Sequence, residues 1–216
     1  MDKKKFVMSY SGGKDCMLAM YRKIKEGCTP VALITTIKKD SCDSWTHSLN
    51  KKLLDKASES LNIPIIYVEC GISEYEAEFE KKLLVAKEMG ATTVVYGDID
   101  IELHKKWDVD RAINVGLDYE LPLWNGDREQ IVHEFIDSGF KAVIKKVNLE
   151  NMSEDFLGKI LDKPLIEEIK NTGSDACGEN GEYHTFVVDG PIFNTPIELE
   201  ILGKTIDNGY GTLDVK

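Results

Sequence analysis

Eight consecutive residues, Pro30-Val31-Ala32-Leu33-Ile34-Thr35-Thr36-Ile37, are apolar or β-branched almost throughout. A strand with one face in water alternates; a run without alternation is buried on both faces, as in a parallel sheet covered by helices. Phe6-Val7-Met8-Ser9-Tyr10, Ile63-Pro64-Ile65-Ile66-Tyr67-Val68 and Thr92-Thr93-Val94-Val95-Tyr96 read as further short buried strands. Helical spacing lies between them. Met17, Met20/Tyr21 and Ile24 recur up to Gly27, and Leu49, Leu53, Ala57 and Leu61 share one face. Tyr75, Phe79, Leu83 and Ala86 follow a capping box, Ser73-Glu74-Tyr75-Glu76, and stop at Gly90. Strand and helix alternating in this way predict an α/β, doubly wound, mostly parallel sheet with right-handed connections. Ligands in such sheets sit beyond the carboxyl ends of the strands. Loops 11–16, 35–47 and 97–104 qualify, which brings Thr35, His47, Gly97 and Asp98 into the candidate site.

The second half reads differently. A helix over Glu102–Val115 precedes an extended piece, Tyr119–Trp124. Asp127 and Gln130 cap a helix carrying Ile131, Phe135 and Ile136, and Phe140–Val147 is a strand. Ser153–Leu161 and Pro164–Ile169 read as short helical segments, Glu182–Val188 as a strand, and Ile197–Ile201 as an alternating, half-exposed antiparallel strand. The division expected is a nucleotide-binding domain over 1–124 and a smaller α+β substrate-binding domain over 125–216.

Where the first strand meets the first helix, the chain reads Ser11-Gly12-Gly13-Lys14-Asp15-Cys16. Glycines at a strand–helix junction let backbone N–H groups converge at the positive end of the helix dipole, which favours an anion. Ser11 adds a hydroxyl, Lys14 a charge, and Asp15 a carboxylate able to hold Mg²⁺. Neither a G-x-x-x-x-G-K-[ST] loop nor a G-x-G-x-x-G loop is present. Late in the chain, Gly178-Glu179-Asn180-Gly181-Glu182-Tyr183-His184-Thr185 gathers acids and a histidine at a glycine turn. In an extended strand, Glu182 and His184 would share a face. A carboxylate beside an imidazole tunes a proton acceptor or orients a polar substrate.

A net charge of −11 disfavours a polyanionic partner, and the dispersed lysine pairs, Lys145-Lys146 among them, read as solvated. No run reaches the ~20 apolar residues of a membrane span. Met1-Asp2-Lys3-Lys4-Lys5 does not open a signal peptide. Five scattered cysteines without a C-x-x-C pair fit a reduced, cytoplasmic protein with no zinc site. Cys16, at a helix start, reads as a serine-like filler rather than a reactive thiol.

The first loop resembles the pyrophosphate-binding loop, S-G-G-x-D-S, of the N-type ATP pyrophosphatases (PP-loop family), with Cys16 in place of the last serine. The late turn resembles the E-G-G-E-[FY]-E-T element of the diphthine–ammonia ligases within that family. Further likeness runs through His47, Gly97 with Ile99, Gly116-Leu117, Pro122-Leu123-Trp124, Gly139-Phe140, Leu157-Gly158, and Asp189-Gly190-Pro191 with Phe193. The resemblance implies a HUP-like fold and a cytoplasmic ATP-dependent amide ligase that adenylates a carboxylate and transfers ammonia to it, forming AMP and pyrophosphate. It implies ATP and Mg²⁺ as cofactors, with Asp15 and Asp98 on the metal and Ser11, Gly12, Gly13, Lys14, Asp15, Cys16, Thr35, His47, Gly97 and Asp98 around the nucleotide. Glu179, Asn180, Gly181, Glu182, His184 and Trp107 would hold the substrate, and Lys14, Asp15, Glu182 and His184 would be catalytic. The implied acceptor is elongation factor 2 or another protein or small-molecule carboxylate, and a homodimer is compatible with the sequence. This chain departs from the ligases at Asn180 (for glycine), at His184 (for glutamate) and around Asp98, Asp100, Leu103, His104, Lys105 and Trp107. A tRNA-modifying PP-loop enzyme and a nucleotide-sensing module are the alternative readings.

Overall fold

The computed structural model describes residues 4–40 and 43–216. The readings for Met1-Asp2-Lys3 and for Cys42 fall outside these residues. Five parallel strands form one sheet: β1 (Lys5–Ser9), β2 (Thr29–Lys38), β3 (Ile65–Cys70), β4 (Thr93–Val95) and β5 (Asp118–Glu120), in the order β3-β2-β1-β4-β5. Between them run α1 (Lys14–Lys25), α2 (Lys51–Leu61), α3 (Tyr75–Glu88) and α4 (Glu102–Asn114). Strand pleating sorts the side chains between two apolar layers. Phe6 and Met8 of β1 and Leu33 and Ile37 of β2 join Met17 and Met20 of α1 and Leu53 and Ala57 of α2. Val7, Ala32 and Ile34 join Phe79 and Leu83 of α3 and Ala112 of α4. A strand buried on both sides has no solvent face to mark with polar residues, which explains the unbroken run at Val31–Ile37.

The second sheet is antiparallel, ordered β7-β6-β9-β8, from β6 (Lys141–Asn148), β7 (Tyr183–Asp189), β8 (Ile201–Asp207) and β9 (Tyr210–Val215). Two helices accompany it, α5 (Arg128–Asp137) and α6 (Lys163–Asn171). Asp127 caps α5 by accepting the Gln130 N–H at 2.9 Å. Tyr21 of α1 meets Phe140 edge-on with centroids 5.4 Å apart, and Phe140 stacks on Phe135 of α5 at 5.0 Å. One apolar cluster therefore runs from Met8 through Phe135 to Ile144 and Phe186. The link between the sheets is also polar: the Val187 N–H donates to the Gly12 carbonyl at 2.9 Å, and the Lys14 N–H to Thr185 Oγ1 at 3.0 Å.

Several elements differ from the sequence reading. Ser73 caps nothing; it lies inside a 3₁₀ turn, Ile72–Glu74, and α3 starts after Glu74 without a side-chain cap. Leu49 precedes α2, whose cap is Asn50, yet it is fully buried, so its apolar period came from the approach to the helix. β3 runs two residues later than expected. The extended piece expected over Tyr119–Trp124 is reduced to β5, which stops at Glu120, and the chain turns at residues 122–125. Ser153–Leu161 holds a single 3₁₀ turn, Glu154–Phe156. Ile197–Glu200 is not a strand; β8 begins at Ile201 and pairs with β9, which the sequence reading lacked. Lys145, read as solvated, is buried where the β6–β7 register slips.

At the end of β4 the backbone passes so close to α1 that a Cβ on Gly97 would lie 2.8 Å from the Cys16 nitrogen and 2.9 Å from its Cα. Backbone cannot yield as a side-chain tip does. Gly97→Ala is expected to destabilise the protein by about 1–3 kcal/mol, read as a lower denaturation midpoint with an unchanged slope; an unaltered midpoint would refute the close approach.

Candidate active site

In an open sheet of this order, the chain leaves β1 toward β2 on one side and returns to β4 on the other. A crevice opens at their carboxyl ends. A cavity of about 840 Å³ lies there, lined by Ser9 at the end of β1 with Tyr10 and Ser11 after it, by Thr35 and Thr36 of β2, and by Gly97 and Asp98 after β4. Its far wall comes from the second sheet: Glu179, Asn180 and Gly181 in the turn before β7, then Tyr183, His184 and Thr185 of β7. Ser11, Lys14, Asp15, Cys16, Thr35, His47, Gly97, Asp98, Trp107, Glu179, Asn180, Gly181 and His184 thus share one cavity.

Gly12, Gly13 and Glu182 do not line it. A Cβ on Gly12, whose φ is +83°, would meet Leu49 Cδ1 at 2.5 Å, and one on Gly13 would meet His47 Cε1 at 2.4 Å. Both glycines let the turn pack beneath neighbouring side chains. Of the junction amides, that of Gly13 donates to Ser11 Oγ at 3.3 Å and that of Lys14 to Thr185. Glu182 stands just before β7, so the shared-face argument with His184 does not apply. Its carboxylate accepts from the Asp175 N–H at 3.1 Å, the Asn180 N–H at 3.0 Å and Asn180 Nδ2 at 3.1 Å, closing the acidic turn on itself.

Lys14 is buried, with Nζ 2.8 Å from Asp15 Oδ2 and 5.3 Å from the Tyr183 ring centroid. Burial is the largest single influence and opposes its charge, but Asp15, Tyr183 and Cys177 together outweigh it and keep the group an ammonium with a pKa well above the ordinary value. Asp15 is itself pushed up by burial, with Lys14 pulling the other way. Its Oδ1 is buried without a hydrogen-bond partner. Burial lowers His47 to about 4 even though Nδ1 bonds the Thr185 carbonyl at 2.8 Å. His184, its ring 4.9 Å from that of His47, falls to about 2 through burial, then His47 and the nearby lysines. Both imidazoles are neutral at physiological pH, and neither accepts a proton readily there.

The carboxylates behave in the opposite way. Burial, then Asp15, raises Glu179 to about 7. Burial, then Asp98, raises Asp108 to about 10. Asp98 Oδ1 lies 3.2 Å from His104 Nδ1. An aromatic wall completes this end: Trp45 against Tyr75 at 6.1 Å, Tyr75 against Trp107 at 5.6 Å, and Phe79 against Trp107 at 5.1 Å. Sequence reasoning missed Asp108, and it named Tyr183 and Thr185 within the late turn without giving either a role. It also missed Arg128 at the start of α5, which holds Asp100 by two bonds at 2.7 and 2.6 Å, Asp175 at 2.5 Å and Asn180 Oδ1 at 3.2 Å. Asp108 lies about one helical turn after His104, a spacing that marks it only once α4 is known to edge the cavity. Arg128 fastens the loop after β4 to the acidic turn, a contact no local pattern announces.

Cys16 donates to the Gly13 carbonyl at 3.1 Å, and burial pushes its thiol pKa up. The four described cysteines are free. In the native protein Cys16 is expected to resist alkylation until denaturant is added, as followed by mass spectrometry; rapid native labelling would show the thiol to be accessible.

Among the described residues, no helix is long and apolar enough to cross a membrane. Residues 4–118 match the family model for the diphthamide synthase N-terminal domain, and residues 127–216 the model for the diphthamide synthase C-terminal domain. The chain is 30% identical to a diphthine–ammonia ligase of Mus musculus, covering 88% of this chain and 80% of that protein. It is 30% identical to one of Homo sapiens, covering 87% and 79%. A solved structure, described as a predicted subunit of tRNA methyltransferase from Methanocaldococcus jannaschii, superposes with a TM-score of 0.46 at 15% identity, over 90% of this chain and 100% of that one.

Proposed function

Because the chain belongs to the diphthamide synthase family, we propose that it is an ATP-dependent amide ligase. It activates a carboxylate as the acyl adenylate and hands it to ammonia. The observation that carries this reading is the convergence of the Ser11–Cys16 junction and the Glu179–Thr185 segment on one cavity at the switch point of the sheet. In this reading residues 1–124 hold the nucleotide and residues 125–216 close over the acceptor. A carboxylate oxygen of the acceptor attacks the α-phosphorus and pyrophosphate leaves; ammonia then attacks the acyl carbon and AMP leaves.

Lys14 meets the negative charge that builds on the departing phosphates. Held as an ammonium by Asp15 inside a buried wall, it acts where water screens little. Mg²⁺ fits Asp15 on one observation, the buried and unpartnered Oδ1; bound there with phosphate oxygens, it would neutralise their charge. Asp98, the other carboxylate implied for the metal, bonds His104 at 3.2 Å and has no buried unpartnered oxygen, so nothing beyond the resemblance supports a metal there. Asn180, fixed by Arg128 and Glu182, shapes the acceptor end. His184 and His47, neutral and half-buried or buried, serve as hydrogen-bonding groups. Glu179 is the group suited to take a proton from the attacking nitrogen, since its pKa near 7 makes it both available and basic at working pH. The natural acceptor in this reading is a protein-borne carboxylate of the diphthine class named for the relatives.

Incubated with Mg-ATP, ammonium and the acceptor, the protein is expected to yield AMP and pyrophosphate, resolved by phosphorus NMR; ADP and phosphate would overturn the assignment. Lys14→Ala should reduce turnover by a hundredfold or more, in line with loss of one preorganised charge contact, without losing the fold by circular dichroism. The carboxylate form of Glu179 grows as pH rises through about 7, so kcat/KM should climb across that range. Glu179→Gln should lower the rate and remove that inflection; an inflection that persists would take Glu179 out of the proton transfer.

A further inference from the structure

The cavity holds one buried lysine and several acids. Lys14 marks its phosphate side; Asp98, near enough to Asp15 to raise its pKa, and Asp108 form a corner with the rings of Tyr75 and Trp107. Asp108 is 5% exposed, and its Oδ2 has no hydrogen-bond partner. The Tyr96 hydroxyl, close enough to feel both aspartates, is 1% exposed and equally unpartnered. Among the described residues neither aspartate has a lysine or arginine at ion-pair distance; Asp98 pairs with His104 at 3.2 Å, which raises the imidazole's pKa, and it also interacts with Asp108. Buried polar oxygens are normally satisfied, and buried acids are normally matched by a cation. The rings add a second preference of the same sign, because an aromatic face attracts a cation and repels an anion.

A ligand for this corner must be small, positively charged and rich in N–H or O–H donors. It must reach Asp108 Oδ2 past the aromatic wall. Resting on the reading above, we propose that the Asp98–Asp108 corner, walled by Tyr75 and Trp107, is the subsite that holds ammonium, the nitrogen donor. In the empty corner burial and Asp98 keep Asp108 protonated; ammonium, with four donors and no acceptor, would displace that proton to solvent and sit between two carboxylates and two π faces. Sodium, which needs a shell of oxygens, finds apolar rings in half of the positions. At neutral pH the donor exists almost wholly as ammonium, so an enzyme using it from solution must first bind the cation. The corner lies in the same cavity as the junction and the acidic turn, so the bound nitrogen is near the centre where the adenylate would form. Selection by charge also keeps water, a competing nucleophile, at a disadvantage there.

Trp45 and Trp107 line the cavity and report on it by fluorescence. The full-length protein, titrated with ammonium chloride at constant ionic strength and fixed Mg²⁺, should give a saturable change that sodium does not give. Asp108→Asn should weaken the apparent affinity tenfold or more. Asp98→Asn, at a more exposed position and so safer for folding, should do the same. A change without saturation, an equal response to potassium or to tetramethylammonium, or an unaltered affinity in both variants would overturn the subsite. In turnover, Asp108→Asn should raise the KM for ammonium at least tenfold with the KM for ATP within twofold, and a parallel rise in both would also overturn it. Saturable, Asp108-dependent ammonium binding in a protein that forms no AMP would uphold the subsite and reject the ligase reading instead.

Discussion

The site depends on hydrogen bonds between the turn after β1 and the strand β7, 171 residues apart at Lys14 and Thr185. A strand–helix junction on its own exposes unpaired amides and carbonyls, and here two of them are taken up by β7. The exchange fixes the edge of the antiparallel sheet across the mouth of the parallel one. It also explains the glycine pair: with Leu49, Phe186 and His47 against the backbone, no Cβ fits. The glycines therefore serve the seam between the sheets as much as the anion.

Burial of that seam sets the chemistry around it. His47 and His184, carried by the seam itself, lose solvent and stay neutral; Glu179, lining the same cavity, loses solvent and rises toward neutrality. Lys14 stays charged because Asp15, in contact with it, acts together with Tyr183 and Cys177 against burial. One cavity thus holds a cation kept charged and, within electrostatic reach of it, acids of tunable charge. This combination suits a reaction that binds a polyanion and an incoming amine together. Arg128 holds the acidic turn mechanically, clamping Asp100, Asp175 and Asn180 so that it faces the strand ends.

Much of the parallel half was legible. Strands buried on both faces carry an unbroken apolar signal, and helices between them carry a 3.6 period, so β1 to β4 and α1 to α4 follow from local pattern. The antiparallel half was less so. β8 is exposed along nearly all its length and has no apolar face to read. Its hairpin signal was present in Asn208-Gly209, both at positive φ, and was overlooked because the alternation at Ile197–Ile201 drew the strand upstream. Glu182 was misplaced for a related reason: a strand rule was applied one residue before the strand began.

By itself the sequence determined the doubly wound core, the strand–helix junction with its lysine and aspartate, and the presence of a second acidic turn, because each is written in neighbouring residues. Only the tertiary structure decided which of those residues face the cavity. It placed Glu182 in the loop's own scaffold, put Asp108 and Thr185 on the wall, and recruited Arg128 as the clamp. The wall and the clamp depend on packing between segments distant in sequence, 171 residues for Lys14 and Thr185 and 28 and 47 for Arg128 with Asp100 and Asp175, and the burial that sets each group's charge arises only when the two sheets meet.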